Sequence, residues 1–501
     1  MRRSLVALVA SALGGCSLIY NPNNLPDPRM IDAALLDSNP CALELTSVSP
    51  LEILEGQGAF GSAPAIVVVH GNNIINNNLR VALAASDGTP VHLDPVTDIT
   101  TSADTTAFAF RVAAPIDEAL GAPTPVVIPL DITVMQDAPA GSACTGTATQ
   151  TLAGKLMLRA LPELKSGQGT SQLYSMIDLP APAFTGTAPI QLNAVSSIAL
   201  GNIVLSATNG TTPGPGAFPI AGDSGPGVGQ GGDPAPAAGN GGGGGGAGFA
   251  SAGTKGTDQA GNGGMGGRVA GQPQVLSLAA NVASAGGAGG KGLTALGGAV
   301  SGGPGGAGGG AIAVTAGGNV KIGTVTSVGG DGGAGGNLLI INGGGGGGGA
   351  GGMLVARTWY GALTVGAVKV TGGGGGSPGG GAGSVGRVRW DSPNAADTGP
   401  ASSDSPPHRG PGFSAPPAIV TGSRPSFTLL GTPGDEFDVR ILDEQLLPHP
   451  GPHVAIAQQG TATILPTLTL GYNQLCIKLA NGLETEPVAN ECIGVAYVPA
   501  R

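Results

Sequence analysis

Residues 310–330 have the sequence GAIAVTAGGNVKIGTVTSVGG, three short runs in which apolar and polar residues alternate between glycine-rich turns. Residues 352–373, GMLVARTWYGALTVGAVKVTGG, repeat this layout with a small insertion near Trp359 and Tyr360. A third copy begins at Ile190, IQLNAVSSIALGNIVLSATNG. Alternation with a period of two is typical of β-strands, and about twenty residues in three such strands are the length of one coil of a parallel β-helix.

The repeat has a fixed spacing. NVASAGG begins at Asn281, TVTSVGG at Thr324 and AVKVTGG at Ala367, so that consecutive copies are 43 residues apart. Such a period indicates stacked coils that bury their apolar residues against each other. We therefore predict a glycine-rich β-solenoid over residues 161–390, with repeats of about 43 residues. The predicted contacts place Ile312, Val314, Val320, Ile322 and Val325 on Met353, Val355, Leu363, Val365 and Val368 of the next coil, respectively.

The glycine content is the difficulty for this prediction. Residues 328–352, VGGDGGAGGNLLIINGGGGGGGAGG, contain fifteen glycines around one apolar island, LLII. Each glycine ordered in an element costs about 0.5–1 kcal/mol relative to alanine. The excursions between coils could pack as closely spaced extended chains or be mobile, and a loosely ordered low-complexity region is the alternative to the solenoid. In the solenoid, residues one coil away would hold the LLII island in shape.

The last predicted coil is partial and covers residues 384–390, SVGRVRW. Arg387 and Arg389 alternate with Val388 and Trp390 in this strand. Charged residues on an edge strand discourage pairing with other chains. We therefore expect the two arginines to face water at an open edge.

Alternating strands also flank the glycine-rich region. Residues 41–160 contain TPVVIPLDITVMQ and AFAFRV, which predict a β-sandwich. The stretch LTSVSPLEILEGQGAFGSAPAIVVVHGNNI resembles the start of IPT/TIG immunoglobulin-like domains, with the turn at Gly71, Asn72 and Asn73. Residues 419–501 resume the alternation and are predicted to form a second immunoglobulin-like β-sandwich, after a Pro/Ser-rich linker at residues 391–418. The predicted fold class is thus all-β.

The amino terminus, MRRSLVALVASALGGCS, has two arginines, a short apolar stretch and small residues before Cys16. Such a stretch is too short to span a bilayer and is typical of an export signal. Residues 13–16 resemble the bacterial lipobox, which implies a signal peptide at residues 1–15, acylation of Cys16 and a tether to residue 40. Ser17 favours the outer membrane by the same resemblance. A plain secretory signal with an incidental Cys16 is the alternative.

Export places the other cysteines where disulfides persist. Cys41 and Cys144 bracket one predicted domain, and Cys476 and Cys492 lie in another. Pairing within each domain is the simplest of three connectivities. In the last two strands each cysteine lies off the apolar face, which predicts a Cys476–Cys492 bridge on the outer side of neighbouring strands. The spacing does not favour a metal site.

Composition argues against catalysis and against nucleic acid. The formal charge is −10 without a Lys/Arg run, so nucleic acid is not an expected partner. Residues 222–386 contain four aspartates and neither glutamate nor histidine, too few groups for a hydrolase or lyase. The serine motif at residues 222–225 lacks a partner base. Residues 375–379 fit the GxSxG motif, but a chain with 95 glycines generates such matches by composition. We predict no catalytic residue, no cofactor and no metal.

The whole chain resembles glycine-rich surface lipoproteins of Gram-negative bacteria, and its glycine tract resembles PGRS repeats without a PE domain. The resemblance implies a lipid-anchored structural or adhesive protein of the outer membrane and cell surface, in which a stalk presents immunoglobulin-like modules. Its expected partners are the membrane itself, cell-surface proteins or polysaccharide. The alternative is carbohydrate binding on the solenoid face, with Trp359 and Tyr360 stacking on a sugar. Filling a core is the other role open to Trp359.

Overall fold

The computed structural model describes residues 42–499 except 77, 117–123, 139–143, 170, 218–226, 271–282, 398, 401 and 481–491. Every regular element in this part of the chain is a β-strand, which confirms the all-β prediction. The predicted signal peptide, Cys16, the tether and Cys41 lie outside the described residues.

Two four-stranded sheets share a core in the N-terminal module, residues 42–160. Their strands are β1 (Glu44–Ser49), β2 (Glu52–Leu54), β3 (Ala65–Asn72), β4 (Arg80–Ala85), β5 (Thr97–Thr101), β6 (Ala107–Val112), β7 (Val126–Asp137) and β8 (Thr147–Ala160). The strand orders are β1-β3-β6-β5 and β2-β8-β7-β4. Phe108 and Phe110 of the first sheet pack with Leu130 and Leu156 of the second, because alternate residues of each strand face the shared core.

The middle of the chain contains eighteen described strands. They are β9 (Leu173–Tyr174), β10 (Ile177–Leu179), β11 (Ile190–Ala194), β12 (Ile198–Leu200), β13 (Ile203–Val204), β14 (Gly292–Leu293), β15 (Ala299–Val300), β16 (Ala311–Ala316), β17 (Val320–Ile322), β18 (Val325–Thr326), β19 (Asn337–Leu338), β20 (Ile341–Asn342), β21 (Met353–Thr358), β22 (Leu363–Val365), β23 (Ala367–Lys369), β24 (Arg387–Asp391), β25 (Ser402–Ser403) and β26 (His408–Arg409).

Three parallel sheets formed by these strands enclose one aliphatic core, and we call them together the three-sheet stack. Sheet one has the order β26-β24-β21-β16-β11-β9, sheet two β10-β12-β17-β22 and sheet three β13-β18-β23-β25. Successive copies of the repeat pair in parallel within every sheet. Ile312, Val320 and Val325, one from each sheet, belong to the same buried core.

The predicted contacts between copies are right in two sheets and wrong in the third. Val320 pairs with Leu363, Ile322 with Val365 and Val325 with Val368, as expected. In sheet one the register differs by one residue, with Ile312 opposite Leu354 and Val314 opposite Ala356. Met353 and Val355 therefore face the other side of the sheet, since a shift of one residue exchanges the faces of a strand. There they pack in a second core with Ala247 and Phe249.

The order of the copies also differs from a simple 43-residue succession. The copy that begins at Ile190 pairs directly with residues 312–316. The NVASAGG copy does not lie between them: Asn281 and Val282 are outside the described residues, and residues 283–290 run among the glycine segments.

The glycine segments form a hydrogen-bonded bundle. Extended segments leave sheet three and return to sheet one as hairpins, and backbone hydrogen bonds between segments follow a period of three. Gly241, Gly244 and Ala247 donate to residues 342, 345 and 348 of a parallel segment. Gly242 and Gly245 donate to an antiparallel segment, at Asp233 and Gln230. Three residues per turn without internal hydrogen bonds is the geometry of the polyproline II helix.

We call this assembly the glycine bundle, and its described segments are residues 227–249, 251–270, 283–310, 328–352 and 370–386. The central run, residues 343–352, is buried throughout. Its ten amide groups donate hydrogen bonds to three neighbouring segments, and successive residues take the three segments in a repeating order. It accepts hydrogen bonds from three others through its carbonyl groups. A Cβ on Gly347 would collide with the Gly245 carbonyl oxygen. Of the two states left open by the sequence, the closely packed one is adopted.

The C-terminal module has a three-stranded and a five-stranded sheet, with the orders β27-β29-β32 and β28-β34-β33-β30-β31. The strands are β27 (Gly412–Ser414), β28 (Ile419–Val420), β29 (Phe427–Leu430), β30 (Glu436–Leu442), β31 (Pro448–Ala455), β32 (Thr461–Ile464), β33 (Gly471–Leu479) and β34 (Cys492–Tyr497). The segment predicted as a linker, residues 391–418, contains β25, β26 and β27. Pairing with strands on either side orders this Pro/Ser-rich stretch.

The two modules contact each other as well as the three-sheet stack. Val68 and Ala109 of the N-terminal module lie in one buried cluster with Ala496 and Val498 of the C-terminal module. His70 Nε2 lies 2.8 Å from the Glu444 carboxylate across the same boundary. The two modules are thus in direct contact, because apolar outer faces of β3 and β6 are buried against β34.

The arginines of the last predicted coil are buried, contrary to the expectation that they face water. Strand β26 pairs with β24 and covers the predicted open edge. Arg389 bonds with Asp391, with 3.1 Å between Nε and Oδ1. Arg387 donates from Nη2 to the Ala270 carbonyl oxygen at 2.6 Å, with its guanidinium over the Phe249 ring. The Ala270 carbonyl oxygen from a distant segment and the neighbouring Asp391 carboxylate thus compensate the two buried charges.

Candidate functional site

The turns of the glycine hairpins gather at the end of the bundle away from the three-sheet stack. Hydrogen bonds that join Gly241 to Asn342 and Gly239 to Leu293 hold three of these turns side by side. Two neighbouring turns are apolar, residues 293–299 and 337–342, and we call them together the apolar tip. At about 3.1 Å per residue, the nine residues 241–249 place the tip about 28 Å from sheet one.

The first loop of the apolar tip is the hairpin of β14 and β15. Gly292 is opposite Val300, and Leu293 is opposite Ala299. The turn is closed by a hydrogen bond from Thr294 N to the Gly298 carbonyl oxygen at 2.8 Å. Gly297 has φ +81°, a conformation that glycine adopts without steric cost. Leu296 stands at the end of this turn.

The second loop is the hairpin of β19 and β20, in which Leu338 is opposite Ile341. Its two-residue turn consists of Leu339 and Ile340, and Leu339 has φ +59°. Such turns favour Asn or Gly at this position, and a residue held in a sparsely populated backbone region costs on the order of 1–3 kcal/mol. The chain thus carries a large aliphatic residue at a turn position where stability alone would favour glycine.

The tip side chains are exposed rather than packed. Leu296 is 100% exposed, Leu339 90%, Ile340 86% and Leu338 48%. The expectation that a neighbouring coil supports LLII is wrong, because residues 337–342 pair with each other at a hairpin turn. Exposed contiguous aliphatic residues on a soluble surface mark a contact site for a partner or a membrane.

Contacts at the bundle end of the two loops hold them in place. A Cβ on Gly292 would lie 3.0 Å from Cγ2 of Ile341, so the two hairpins approach at backbone distance. Asn342 N donates to Asn240 Oδ1 at 2.8 Å, which joins a third turn to the second loop. A rigid base keeps the aliphatic side chains projecting and limits the entropy lost on binding.

Few charges surround the apolar tip. The two loops with their flanking residues, 291–301 and 336–343, contain Lys291 and no acidic residue. In a nearby turn, Asp258 accepts hydrogen bonds from Lys255 Nζ at 2.7 and 2.8 Å. The hydrogen bonds from Lys255 and from the Gly263 amide lower the pKa of Asp258. The Asp258 carboxylate is thus paired with an ammonium group.

Of the two residues predicted for a sugar site, Trp359 is buried and Tyr360 is partly buried. Trp359 belongs to the core of the C-terminal module, and the Arg357 guanidinium lies 4.8 Å from its ring centroid. Tyr360 packs against the same core, and burial raises the pKa of its hydroxyl. Both rings fill the junction between the three-sheet stack and the C-terminal module, the role that the sequence also allowed for Trp359.

The cysteines at the C terminus are joined as predicted. Cys476 and Cys492 form a disulfide between directly opposite positions of β33 and β34, with their Cα atoms 4.0 Å apart. Cys476 is fully buried, although it is not part of the aliphatic core. Cys144 is disulfide-bonded, and its predicted partner Cys41 lies outside the described residues, as does Cys16.

Sequence reasoning missed the apolar tip. The signal was present in NLLII, an aliphatic run that has no counterpart at the same place in the other copies. An apolar run that fits no stacking register is a candidate for exposure. The alternation that predicts strands gave no means of separating LLII from a core segment.

Among the described residues, no group of three or more His, Cys, Asp or Glu side chains is placed to hold a metal ion. The described part of the chain also has no helix that could cross a membrane. No protein-family model, curated protein or solved structure matches this chain.

Proposed function

We propose that the protein is a lipid-anchored, non-enzymatic adhesin of the bacterial cell surface that makes contact through the apolar tip. Acyl chains on Cys16 would fix it to the outer membrane, because several chains together make anchoring effectively permanent. The lipobox-like residues 13–16 support this anchorage. The modules and the three-sheet stack serve as the base of the glycine bundle.

The observation that carries the proposal is the exposure of Leu296, Leu339 and Ile340 on a rigid projecting bundle. Aliphatic side chains transfer no protons and bind no metal, so they suit adhesion rather than catalysis. Burial of these side chains against any apolar surface contributes about 1.5–3 kcal/mol of binding free energy per side chain.

The fold proposed with this function is a short parallel β-helix between two immunoglobulin-like β-sandwiches. Three parallel sheets around one core, with successive copies of the repeat in register, support the β-helix. Two sheets that share a core in each module support the sandwiches. The glycine bundle is an insertion at one corner of the helix, between sheet three and sheet one.

The loops that join sheet one to sheet two support the role of the modules as a base, because they contact both modules. The loop between sheets one and two contacts the N-terminal module, where Asn319 N donates to the Phe60 carbonyl oxygen at 2.9 Å. The corresponding loop of the next copy carries Trp359 into the C-terminal module. The modules and the glycine bundle therefore attach to different corners, which leaves the tip free.

Carbohydrate binding through Trp359 and Tyr360 remains the alternative from the sequence. Stacking on a sugar would require Trp359, which is only 8% exposed, to leave the core of the C-terminal module. The geometry therefore favours the apolar tip as the contact site.

Attachment of cells that display the protein tests the proposal. We expect such cells to adhere to alkyl-coated glass and not to hydroxyl-coated glass. The double substitution Leu339→Ser/Ile340→Ser should abolish adhesion. The matched control is Leu446→Ser/Leu447→Ser, which changes two leucines of similar type that are 58% and 57% exposed in a turn of the C-terminal module. Equal adhesion by the two variants would refute the proposal.

Anchorage has its own test. Radiolabelled palmitate should enter the chain in a Gram-negative host, and Cys16→Ser should abolish the label and release the protein from the membrane fraction. Retention of the label in the Cys16→Ser variant would show that the lipobox assignment is wrong.

A further inference from the structure

We propose that the partner of the apolar tip is a lipid bilayer, into whose interfacial region the two loops insert. The inference rests on one part of the proposed function, namely that the apolar tip is the contact site. It does not depend on the acyl anchor at Cys16, which lies near the amino terminus and outside the described residues.

The size of the apolar tip argues against a folded partner. At about 25 cal/mol per Å² and 1.5–3 kcal/mol per side chain, each aliphatic residue covers on the order of 100 Å². Leu296, Leu338, Leu339 and Ile340 together therefore offer about 400 Å². A stable protein interface buries about 800 Å² on each partner. A second copy of this chain, docked tip to tip, would fall short of that area.

The shape of the tip also favours lipid. Leu296 and Ile340 stand at the ends of hairpin turns, so the surface is convex and consists of separate protruding side chains. A folded protein would need matching pockets to receive them, whereas acyl chains rearrange around any inserted group. Aliphatic residues that enter the boundary between headgroups and acyl chains are the means by which peripheral proteins bind membranes.

The polar groups of the two loops are compatible with shallow insertion. Backbone groups of both turns are paired within their hairpins, at Gly292 with Val300 and at Asn337 with Asn342. Such pairing limits the cost of bringing backbone into an apolar medium. Lys291 lies at the start of the first loop, where an ammonium group can remain at the level of anionic headgroups.

A fluorescent label beside the tip tests insertion directly. The full chain carries Cys16→Ser, which removes the acylated thiol, and Ala295→Cys, which places one thiol next to Leu296 and retains all four aliphatic side chains. The label is the environment-sensitive dye NBD. The vesicles contain phosphatidylcholine with a minor fraction of phosphatidylglycerol and carry spin-labelled acyl chains that quench the dye on contact.

The control label is Gln445→Cys in the same background, which lies in an exposed turn beside Leu446 and Leu447. We expect blue-shifted, quenched emission from the tip label and unchanged emission from the control label. Adding Leu339→Ser/Ile340→Ser to the tip-labelled chain should lower the partition of the tip into vesicles about 100-fold, because two aliphatic side chains are lost.

Three results would overturn the inference: an unquenched tip label on vesicle-bound protein, equal quenching of both labels, or self-quenching of the tip label without vesicles, which would indicate a second copy as partner. The adhesion assay separates this inference from the proposed function. Adhesion that depends on Leu339 and Ile340 without lipid quenching would leave the tip as an adhesive site with a non-lipid partner. Quenching without such adhesion would leave lipid insertion standing and reject the adhesin.

Discussion

Arg357 and Asp391 lie directly opposite each other on neighbouring parallel strands, and their side chains form an ion pair of 2.8 Å in which both are almost fully buried. Arg389, two residues before Asp391 on the same strand face, completes the cluster. This cluster lies on the face of sheet one that also carries Met353 and Val355, at the point where Arg357 meets Trp359 of the C-terminal core. The ion pair thus links two strands of sheet one beside the junction with the C-terminal module.

Removal of the carboxylate should destabilise this junction. Asp391→Asn leaves Arg357 and Arg389 buried without a compensating charge, which costs about 3–5 kcal/mol when one partner of a buried pair is lost. We expect a clearly lower denaturation midpoint. The control is Asp98→Asn, which breaks the exposed ion pair with Arg111 and should change stability by about 0–1 kcal/mol. Equal effects of the two substitutions would contradict this account.

The same cluster predicts a pH dependence. Burial alone would raise the pKa of Asp391, but Arg389 and Arg357 hold it below its usual value. A depressed folded-state pKa contributes stability above the unfolded-state pKa of about 3.9 and loses it as the pH falls through the folded value. The difference in unfolding free energy between wild type and Asp391→Asn should be constant above about pH 5 and shrink below about pH 4. A difference that grows on acidification would contradict the prediction.

The glycine bundle predicts opposite outcomes for two glycine substitutions. Gly347→Ala places a methyl group against the Gly245 carbonyl oxygen in the buried centre and should lower stability by at least about 1–3 kcal/mol, the range for overpacking. Gly231→Ala in the same bundle meets only the Ala288 carbonyl oxygen at 3.5 Å, an ordinary contact. That variant should be neutral or stabilised by up to about 1 kcal/mol. Thermal unfolding monitored by circular dichroism measures both.

Loss of the C-terminal disulfide should weaken its module. The bridge between Cys476 and Cys492 closes a loop with a sequence separation of 16, for which constraint of the unfolded chain contributes about 3 kcal/mol. The double substitution Cys476→Ser/Cys492→Ser should lower the unfolding midpoint accordingly. Because Cys476 is buried, a mild reductant should leave the native bridge intact and reduce it after addition of denaturant. Rapid reduction of the native protein would contradict this expectation.

The boundary between the modules gives the last prediction. Ala109→Asp introduces a charge into the buried cluster shared with Ala496 and Val498, and an unpaired buried charge is strongly unfavourable. Calorimetry should show the modules unfolding as separate transitions. The control is Ala82→Asp on an exposed position of β4, which should leave one cooperative transition. A single transition in both variants would show that this cluster does not couple the modules.

Sequence alone was sufficient for the strands and for much of their pairing. The aliphatic repeat has the period of β-structure, and the predicted contacts of Val320 with Leu363 and of Val325 with Val368 are those of the structure. In sheet one the predicted register is wrong by one residue. The pairing of Cys476 with Cys492 also followed from their places in the last two strands. Because these features are local or periodic, the pattern of side chains along the sequence predicts them.

Tertiary structure alone decided the state of the glycines, the burial of the arginines and the position of LLII. Glycine has no side chain to record a neighbour, and six of the ten amides of residues 343–352 bond to segments more than 30 residues away in sequence. Arg387 and Arg389 look like solvent-facing charges until Ala270 is brought beside Arg387 and β26 covers the edge of their strand. Leu339 and Ile340 have the composition of a core and lie exposed, because the hairpin that contains them is at the free end of the bundle. Contacts between remote segments determine all three features, and no local pattern encodes them.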